Sequence, residues 1–512
     1  MVELILGGLR MSIRKFKIVF LATNWGAKYG GINSINIDMC LSFASFIGNR
    51  FDIVCVVPSA TKNDIRGAKK KGVRLIHVPS SNEDNLGENW ANSVVANLKK
   101  TCPGDVLFWI GHDVKTGFAA IKCSKSSENS KSIVIHHMDY QAYAALRPEN
   151  TREKITQQRN VLSGSDIVFA VGPFLKKSAI DKVGGTKKIH MIMPGLPDIK
   201  GLPVPQNFSA IIFGRLDPRA DQIKQSRLAV ASFANLSDLE TKFSQSNPFM
   251  TVIGISDGEE MTREIEELHE LAEEHSGRAI QIHGWPYMSN REELFGELKR
   301  HSVSMMVSVH EGFGLTGWEA IAAEVPLVIS KNSGLYKFID EHFVGYGVGC
   351  LYPVDIKGTT KEGQIKQEDI ETVTNALHEI YNETEKAKEK AVKLKQLISK
   401  TLTWKNTAKQ MARILGLYTD ETTISRKTKK DLAELLKIDL GNLTLMLKAI
   451  EDFYNNRSKN NPDGTPDNDP DDCPDDAPDD DPDDDPDDDY DDDTIGGMDF
   501  EQSPDKELCG QT

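Results

Sequence analysis

Two glutamates enclose a glycine-rich stretch whose residue types suit a ligand site. The stretch runs from His310 to Glu319 and reads His-Glu-Gly-Phe-Gly-Leu-Thr-Gly-Trp-Glu. The apolar run Val303–Val309 before it predicts a buried strand, and Ala320–Ala323 after it predicts a helix. Glu311 therefore falls just past the carboxyl end of a strand, where open α/β sheets bind their ligands. A charge beside a glycine loop has no packing role there, so Glu311 is the first candidate for chemistry.

The amides that follow in the same stretch point to an anionic ligand. Gly314, Leu315 and Thr316 would open the helix, and unpaired amides at a helix N-terminus attract phosphate. Glu319, the second carboxylate, has two interpretations. It either binds the ligand, or it forms a capping box with Thr316 and serves only to begin the helix.

Strands and helices alternate along most of the chain around this stretch. Apolar runs such as Phe16–Ala22 and Phe51–Val57 predict buried strands, and the helical pattern of Asn33–Ile47 separates these two. A second series of the same kind begins at Ser209–Phe213. Such alternation predicts an α/β protein with two doubly wound domains, each built on a parallel sheet. At 512 residues the chain is also too long for a single core.

A cluster of prolines and glycine at 194–205 marks the join between the two series. We place the hinge at 195–206, which gives an N-terminal domain at 1–195 and a C-terminal domain with closing helices at 206–417. Leucines at helical spacing predict a helical appendage at 418–459. Within it, 425–456 offers a contact for a homodimer or another partner.

The charge of the chain is unevenly distributed. The whole chain carries −15, but residues 462–512 hold 23 acidic residues and one lysine, a net charge of −22. Residues 1–461 are left with +7, which suits anionic ligands without demanding nucleic acid. Proline recurs at every fourth position from Pro466 to Pro486, so we predict a disordered acidic tail at 460–512. Such a tail either solubilises the protein or binds a basic partner.

Cysteine usage and hydropathy bear on location. The seven cysteines are scattered and never adopt Cys-x-x-Cys spacing, which argues against a zinc site and a disulfide framework. No apolar run reaches the ~18 residues that a membrane helix needs. We therefore expect a cytoplasmic protein with no transmembrane segment and no nucleic-acid partner.

The chain resembles the retaining glycosyltransferases of family 4, which have the GT-B fold. The Glu-x7-Glu pattern of 311–319 carries the resemblance, together with Phe213-Gly-Arg-Leu216 and the later Lys224. Residues 326–330 and 332–335 continue it, and Gly30-Gly31 matches the family's glycine loop. The resemblance implies two Rossmann-like domains facing a central cleft. The first domain would bind the acceptor and the second the nucleotide-sugar donor.

The resemblance assigns the donor phosphates to two basic residues. Arg215 offers a planar fork of donors and Lys224 a point charge, and together they would stabilise the leaving diphosphate. No metal or cofactor is then required, and the nucleotide-sugar is a co-substrate. Two other interpretations stay open, because Arg215 can form an internal salt bridge and Lys224 can be a solvated surface lysine.

The resemblance also implies roles for the glutamates and glycines. Glu311 would hold the transferred sugar or stabilise a developing oxocarbenium charge. Glu319 would accept hydrogen bonds from the ribose hydroxyls. The amides at 314–316 would bind the phosphates, and Gly30 and Gly31 would face those phosphates from the first domain.

A histidine at the end of a first-domain strand would lie near the anomeric centre in this family. His136 follows the predicted strand Ser132–Ile135 and is our first choice. His137 points to the opposite face of the strand and is the second choice, with His112 as the third. Asp139 is a candidate to orient the functional histidine. A plain hydrogen-bonding role is the alternative for each histidine taken singly.

These inferences predict a glycosyltransferase of the hexosyltransferase type that retains the anomeric configuration. The main alternative is a non-catalytic GT-B scaffold that binds a nucleotide or a sugar as a sensor or interaction module. A related phosphorylase or epimerase is a further alternative. The sequence leaves the donor base, the sugar and the acceptor open.

Overall fold

The computed structural model describes residues 2–6, 9–13, 16–26, 30–80, 86–143, 151–240, 242–243, 247–343, 347–360 and 363–418. These residues belong to one compact unit that spans Met1–Ile450. The predicted appendage beyond Tyr418, its partner contact at 425–456 and the predicted acidic tail lie outside the described residues.

The first domain is built on a seven-stranded parallel sheet. An antiparallel hairpin, β1 (Val2–Leu6) and β2 (Leu9–Ile13), precedes it in the chain. The sheet strands are β3 (Phe16–Leu21), β4 (Phe51–Val57), β5 (Val73–His77), β6 (Val106–His112), β7 (Lys131–His136), β8 (Ile167–Val171) and β9 (Ile189–Ile192). Their spatial order is β5-β4-β3-β6-β7-β8-β9. The order reverses between β3 and β6, which creates a topological switch point, the usual place for a ligand.

The second domain repeats this plan with six parallel strands. They are β10 (Ser209–Phe213), β11 (Phe249–Ile255), β12 (Gln281–Pro286), β13 (Val303–Met306), β14 (Leu327–Ser330) and β15 (Tyr352–Val354). Their spatial order is β12-β11-β10-β13-β14-β15, so the switch point lies between β10 and β13. The two sheets confirm the prediction of two doubly wound domains.

Helices cover both sheets. In the first domain the described helices are Gly31–Ile47, Lys62–Lys70, Glu88–Thr101, Asp113–Lys125, Tyr140–Tyr143, Thr151–Gly164 and Gly172–Val183. The later helices are Pro218–Lys224, Ser226–Leu239, Glu259–Ser276, Arg291–Leu298, Leu315–Ala322, Gly334–His342, Gln367–Asn382, Thr384–Ser399 and Trp404–Ile414. Among the described helices, none is long and apolar enough to cross a bilayer.

The strand sequences explain this arrangement. Every residue of β6 and of β10 is buried, because helices on both faces shield a parallel sheet from water. Such strands therefore need near-continuous apolar runs, which is the pattern that the sequence shows.

Two helices differ from the sequence-based prediction near the switch points. Asp113–Lys125 was not predicted, since it begins directly after β6 without a loop and contains Gly117. The helical pattern of the sequence predicts a single helix at Ile223–Ala234. The structure has two helices here, because Gln225 adopts a left-handed conformation with φ of 63°. The first helix therefore begins with Asp113 at the carboxyl end of β6. The break at Gln225 leaves Lys224 at the end of the helix Pro218–Lys224.

The last described helix, Trp404–Ile414, returns to the first domain. Thr407 Oγ1 donates a hydrogen bond to the carbonyl of Met193 (2.6 Å), and Gln410 Nε2 donates to the carbonyl of Met191 (3.1 Å). The sequence-based division at 206–417 grouped this helix with the second domain. Its periodicity predicts an apolar face but cannot say which domain that face will cover.

Candidate active site

A cavity of about 810 Å³ lies between the two sheets, at the carboxyl ends of their strands. The first domain contributes the glycine loop after β3, Lys115 of the helix after β6, and His137 and Met138 just after β7. The second domain contributes the loops after β10 and β13. The predicted site residues that line the cavity are Gly30, Gly31, His137, Arg215, Lys224, Glu311, Gly314, Leu315, Thr316 and Glu319.

Glu311 is held at the cavity by its backbone. Its amide donates to the carbonyl of Asn332 (3.2 Å), and its carbonyl accepts from the amide of Gly334 (3.0 Å). The strand β13 ends at Met306, three residues earlier than predicted, so these bonds replace the sheet pairing. They fix the segment that carries the Glu311 carboxylate at the switch point.

The helix after Glu311 begins at Leu315, with Gly314 as its N-cap. Gly314 has φ of 110°, and a Cβ at this position would lie 2.8 Å from Met306 Cε, so only glycine suits it. No side chain caps this helix. Thr316 is its second residue rather than its N-cap, so the capping-box interpretation of Glu319 is excluded. The first-turn amides have no partner within the helix and are free for an anion.

Glu319 lies half-buried on the cavity wall, one turn into the same helix. Burial raises the pKa of its carboxyl group to about 7, while the nearby Arg291 opposes the rise and Asp38 adds to it. The carboxyl group can therefore exchange a proton near neutral pH.

The two predicted phosphate-binding residues reach the same cavity by different routes. Arg215 follows β10 and Gly214, whose φ is 141°, and its side chain is exposed to the cavity. Lys224 ends the helix Pro218–Lys224 and forms an ion pair with Glu311. The amide of Val309 donates to the carbonyl of Ile223 (2.9 Å), which ties that helix end to the Glu311 segment.

These positions decide between the interpretations of the two basic residues. Lys224 is not a solvated surface lysine, because its ammonium group contacts the Glu311 carboxylate inside the cavity. Among the described residues, no ion pair includes Arg215, so an internal salt bridge is not its role in this structure.

The glycine loop of the first domain meets the second domain across the cavity. Gly30 has φ of 98°, and a Cβ there would lie 3.1 Å from Arg215 Nη2. A Cβ on Gly31 would lie 2.6 Å from Leu315 Cδ1. The loop backbone thus approaches both the arginine and the helix N-terminus that would bind a phosphate.

The structure separates the three candidate histidines. His137 is half-buried and lines the cavity. His136, our first choice from the sequence, is fully buried, and its Nδ1 lies 2.8 Å from Asp113 Oδ1. His136 therefore does not reach the cavity, because its side chain points into the packed interior beside the helix Asp113–Lys125. His112 is also fully buried, behind His137.

Asp113, rather than the predicted Asp139, organises the histidine segment. Its Oδ2 accepts from the amides of His137 (2.7 Å) and Met138 (3.1 Å). Its own φ of 41° is unusual for a residue other than glycine. Asp139 instead accepts from Ser178 Oγ (2.6 Å) and Lys182 Nζ (2.5 Å).

A cross-cavity ion pair was not anticipated from the sequence. Arg291 Nη1 of the second domain donates to Asp38 Oδ2 of the first domain over 2.9 Å. Both residues line the cavity, as does Tyr287. Asp38 is the only charged residue on the helix Gly31–Ile47, and this isolated carboxylate was the available signal.

Comparisons with known proteins bear on the family and the fold of this chain. The family model described as "GT4-conflict: Family 4 Glycosyltransferase in conflict systems" matches residues 19–411. No curated protein sequence gives a significant match.

Similar solved structures share the architecture at low sequence identity. Sucrose-phosphate synthase from Thermosynechococcus elongatus has a TM-score of 0.58 at 15% identity, covering 78% of this chain and 98% of that one. WaaG, a glycosyltransferase involved in lipopolysaccharide biosynthesis, has a TM-score of 0.53 at 13% identity, covering 78% and 99%. An alpha,alpha-trehalose-phosphate synthase (UDP-forming) from Burkholderia xenovorans has a TM-score of 0.55 at 11% identity, covering 78% and 99%. At these identities the likeness shows the GT-B fold.

Proposed function

The chain belongs to the family 4 glycosyltransferases of conflict systems, and we propose that it transfers a sugar from a nucleotide-sugar donor with retention of anomeric configuration. The observation that carries this proposal is the meeting of Glu311, Lys224, Arg215 and the Leu315 helix N-terminus in one cavity. These are an acid, two cations and an anion-binding backbone at a topological switch point, opposite a second glycine loop.

The donor diphosphate would lie on the positive side of this cavity. The amides at 314–316 point a helix N-terminus at it. Arg215 and Lys224 add charge-assisted hydrogen bonds that strengthen as the diphosphate leaves with its negative charge. Gly30, with no side chain, lets the first domain approach the same phosphates.

Glu311 would act on the sugar side of the bond that breaks. Its carboxylate can hold a sugar hydroxyl or stabilise the positive charge that develops at the anomeric carbon. Lys224 balances the charge of Glu311 in the structure, and on donor binding it would share its hydrogens with the diphosphate. Glu319 would accept hydrogen bonds from the ribose hydroxyls at the other end of the donor.

We propose that this chemistry is metal-independent and that no cofactor takes part. Arg215 and Lys224 can supply the charge that a divalent cation would otherwise supply to a diphosphate. Within the described part of the chain, no group of three His, Cys, Asp or Glu side chains is arranged to hold a metal ion. A test for metal dependence is turnover in the presence of excess chelator, which should leave the rate unchanged.

The donor base and the compartment are narrower proposals. The Burkholderia neighbour is described as UDP-forming, so UDP-sugars are the first donors to test, followed by GDP- and ADP-sugars. The five described cysteines are all free and buried, which suits the cytoplasmic location that we propose.

Donor turnover separates an enzyme from the alternative, a binding scaffold. We expect the wild-type protein to release nucleoside diphosphate from its donor, with water as a slow acceptor. Glu311→Gln should lower this rate about 100-fold with little change in Tm. Glu341→Gln, which alters an exposed glutamate on a neighbouring helix, should leave the rate unchanged.

Two outcomes would contradict this account. If the wild-type protein binds a donor but releases no diphosphate, with or without candidate acceptors, the scaffold is correct. If the released sugar has the inverted configuration in an early proton NMR spectrum, the retaining mechanism is wrong.

A further inference from the structure

A hydrogen-bonded chain leads from the cavity wall into the core of the first domain. His137 Nε2 lies 2.9 Å from His112 Nδ1, and His112 Nε2 lies 2.9 Å from Asn36 Oδ1. His112 and Asn36 are fully buried, whereas His137 lines the cavity. This series of hydrogen bonds thus has one end in the packed interior and the other end at the proposed site.

The buried end fixes the direction of both hydrogen bonds. An amide oxygen can only accept, so the hydrogen between Asn36 and His112 belongs to Nε2 of His112. A neutral imidazole that donates from Nε2 accepts at Nδ1, and His112 Nδ1 therefore accepts from Nε2–H of His137. Nδ1 of His137 is then left without a hydrogen.

Both rings are held in the neutral form that this argument requires. Burial lowers the pKa of His112 well below its usual value, and the neighbouring His137 lowers it further. Burial also lowers the pKa of His137 to about 4, although Asp113 partly opposes the change. Neither ring carries a second hydrogen near neutral pH.

Hydrogen bonds to the backbone around His137 hold its ring in place beside His112. Asp113 binds the amides of His137 and Met138, and Gln158 Nε2 donates to the carbonyl of Met138 (2.7 Å). With Nε2 engaged by His112, ring Nδ1 has no hydrogen-bond partner among the described residues. It is the ring atom available to a ligand.

We propose that Asn36 and His112 are positioning residues that hold His137 in the Nε2–H tautomer, so that its bare Nδ1 selects a hydrogen-bond donor on the bound sugar. The ligand half of this proposal rests on the proposed function. A sugar hydroxyl or amino group satisfies Nδ1, whereas a carboxylate or phosphate at the same position would face a lone pair. The arrangement therefore favours neutral sugars over acidic ones at this contact.

Nitrogen-15 NMR of histidine-labelled full-length protein tests the tautomer without any ligand. The chemical shifts distinguish a ring nitrogen that carries a hydrogen from one that does not, and a His137→Gln spectrum identifies the His137 signals. We expect Nε2 of His137 to carry the hydrogen at neutral pH. A hydrogen on Nδ1, or on both nitrogens, would overturn the proposal.

Asn36→Leu tests the role of the buried amide. Leucine matches asparagine in size and brings no charge, but it removes the acceptor that fixes the His112 hydrogen. We expect His137 to populate the Nδ1–H tautomer in this variant, and an unchanged tautomer would overturn the role of Asn36. Asn235→Leu is the matched control, because Asn235 is a helical asparagine whose hydrogen bond goes to Thr374 in the second domain.

Donor affinity tests the ligand half separately. Asn36→Leu should weaken binding of the donor about tenfold, the value of one net hydrogen bond, and Asn235→Leu should bind as the wild type does. Unchanged affinity in Asn36→Leu would overturn the sugar contact. If the wild-type protein binds no nucleotide-sugar, the proposed function is contradicted. The NMR spectrum alone tests the tautomer of His137.

Discussion

The ion pair between Lys224 and Glu311 is a feature of the site that only the folded structure reveals. The sequence places the two residues 87 positions apart, and only the fold brings the ammonium group to the carboxylate. A carboxylate at the mouth of a cavity costs less free energy when a cation neutralises it. The ion pair therefore balances the charge of Glu311 at a partly buried position, and in the proposed reaction the donor phosphate would compete for the lysine.

Glu319 makes the stability of the protein depend on pH. Its pKa is raised from 4.5 to about 7 in the folded state, so the folded protein retains a proton that the unfolded chain releases in this window. Its stabilising contribution is present below about pH 4.5 and is lost as pH rises through about 7. We expect Glu319→Gln to lose less Tm than the wild type between about pH 5 and pH 8.

The same variant has an opposite effect on function. Glu319→Gln should be at least as stable as the wild type at about pH 8, yet it should bind the donor more weakly, since an amide is a poorer acceptor for two hydroxyls. Thermal unfolding scans at a series of pH values give the first result. Parallel Tm profiles for the two proteins would show that Glu319 does not titrate in this range.

At this scale the sequence predicted part of the site. Glu311 follows from a glycine motif at the end of a predicted strand, whereas Arg215 and Lys224 follow from the resemblance to the family. The choice between His136 and His137 depends on which side of β7 faces the cavity, and that depends on helix Asp113–Lys125. Asn36, Asp38 and Arg291 act through contacts between distant segments, which no local pattern encodes.

At the scale of elements, the glycine loop after β3 controls how closely the two domains approach. Gly30 has a backbone conformation that other residues rarely adopt, and it faces Arg215. Gly30→Ala should cost about 1–3 kcal/mol of stability through backbone strain, and its methyl group should also displace the arginine. We therefore expect weaker donor binding, measured by titration, together with a lower unfolding midpoint in urea.

A second glycine separates these two effects. Gly184 also has a positive φ, of 63°, but a Cβ there would meet nothing within 4 Å. Gly184→Ala should lose stability through the same kind of strain and keep the donor affinity of the wild type. Equal loss of affinity in both variants would mean that the Gly30 loop acts only through stability.

Some element boundaries follow from local sequence patterns, whereas others depend on packing between distant segments. The strand β4, which has a long apolar run, has the predicted limits Phe51–Val57. The helix Asp113–Lys125 was missed because Gly117 interrupts its pattern. Yet a Cβ at Gly117 would lie 2.5 Å from Val161 Cγ1, so this glycine is required by close packing against a neighbouring helix.

For the whole molecule, the described cavity residues all lie between Thr23 and Trp404. The proposed donor-binding groups all belong to this described part of the chain, and none is assigned to the acidic segment from 462 onward. A chain that ends at Asn460 is therefore expected to keep the donor affinity and turnover of the full chain, measured in the same assays. A large loss of either would assign the acidic segment a part in the reaction.

Net charge also distinguishes residues 1–461 from the acidic segment that begins at 462. Residues 1–461 carry +7 and the segment from 462 carries −22, so truncation reverses the net charge of the protein. We expect solubility at low ionic strength to fall while activity is maintained.

The central claim is that the cavity between the two domains binds a nucleotide-sugar, and a thermal-shift screen against UDP-, GDP- and ADP-sugars tests it most directly. A donor at ~100 times its dissociation constant should add ~2.7 kcal/mol to the free energy of unfolding. The account predicts a rise in Tm with one nucleotide family, lost in Arg215→Ala and kept in Arg300→Ala, whose side chain is 75% exposed outside the cavity. No rise with any donor, or an equal rise in Arg215→Ala, would contradict the claim.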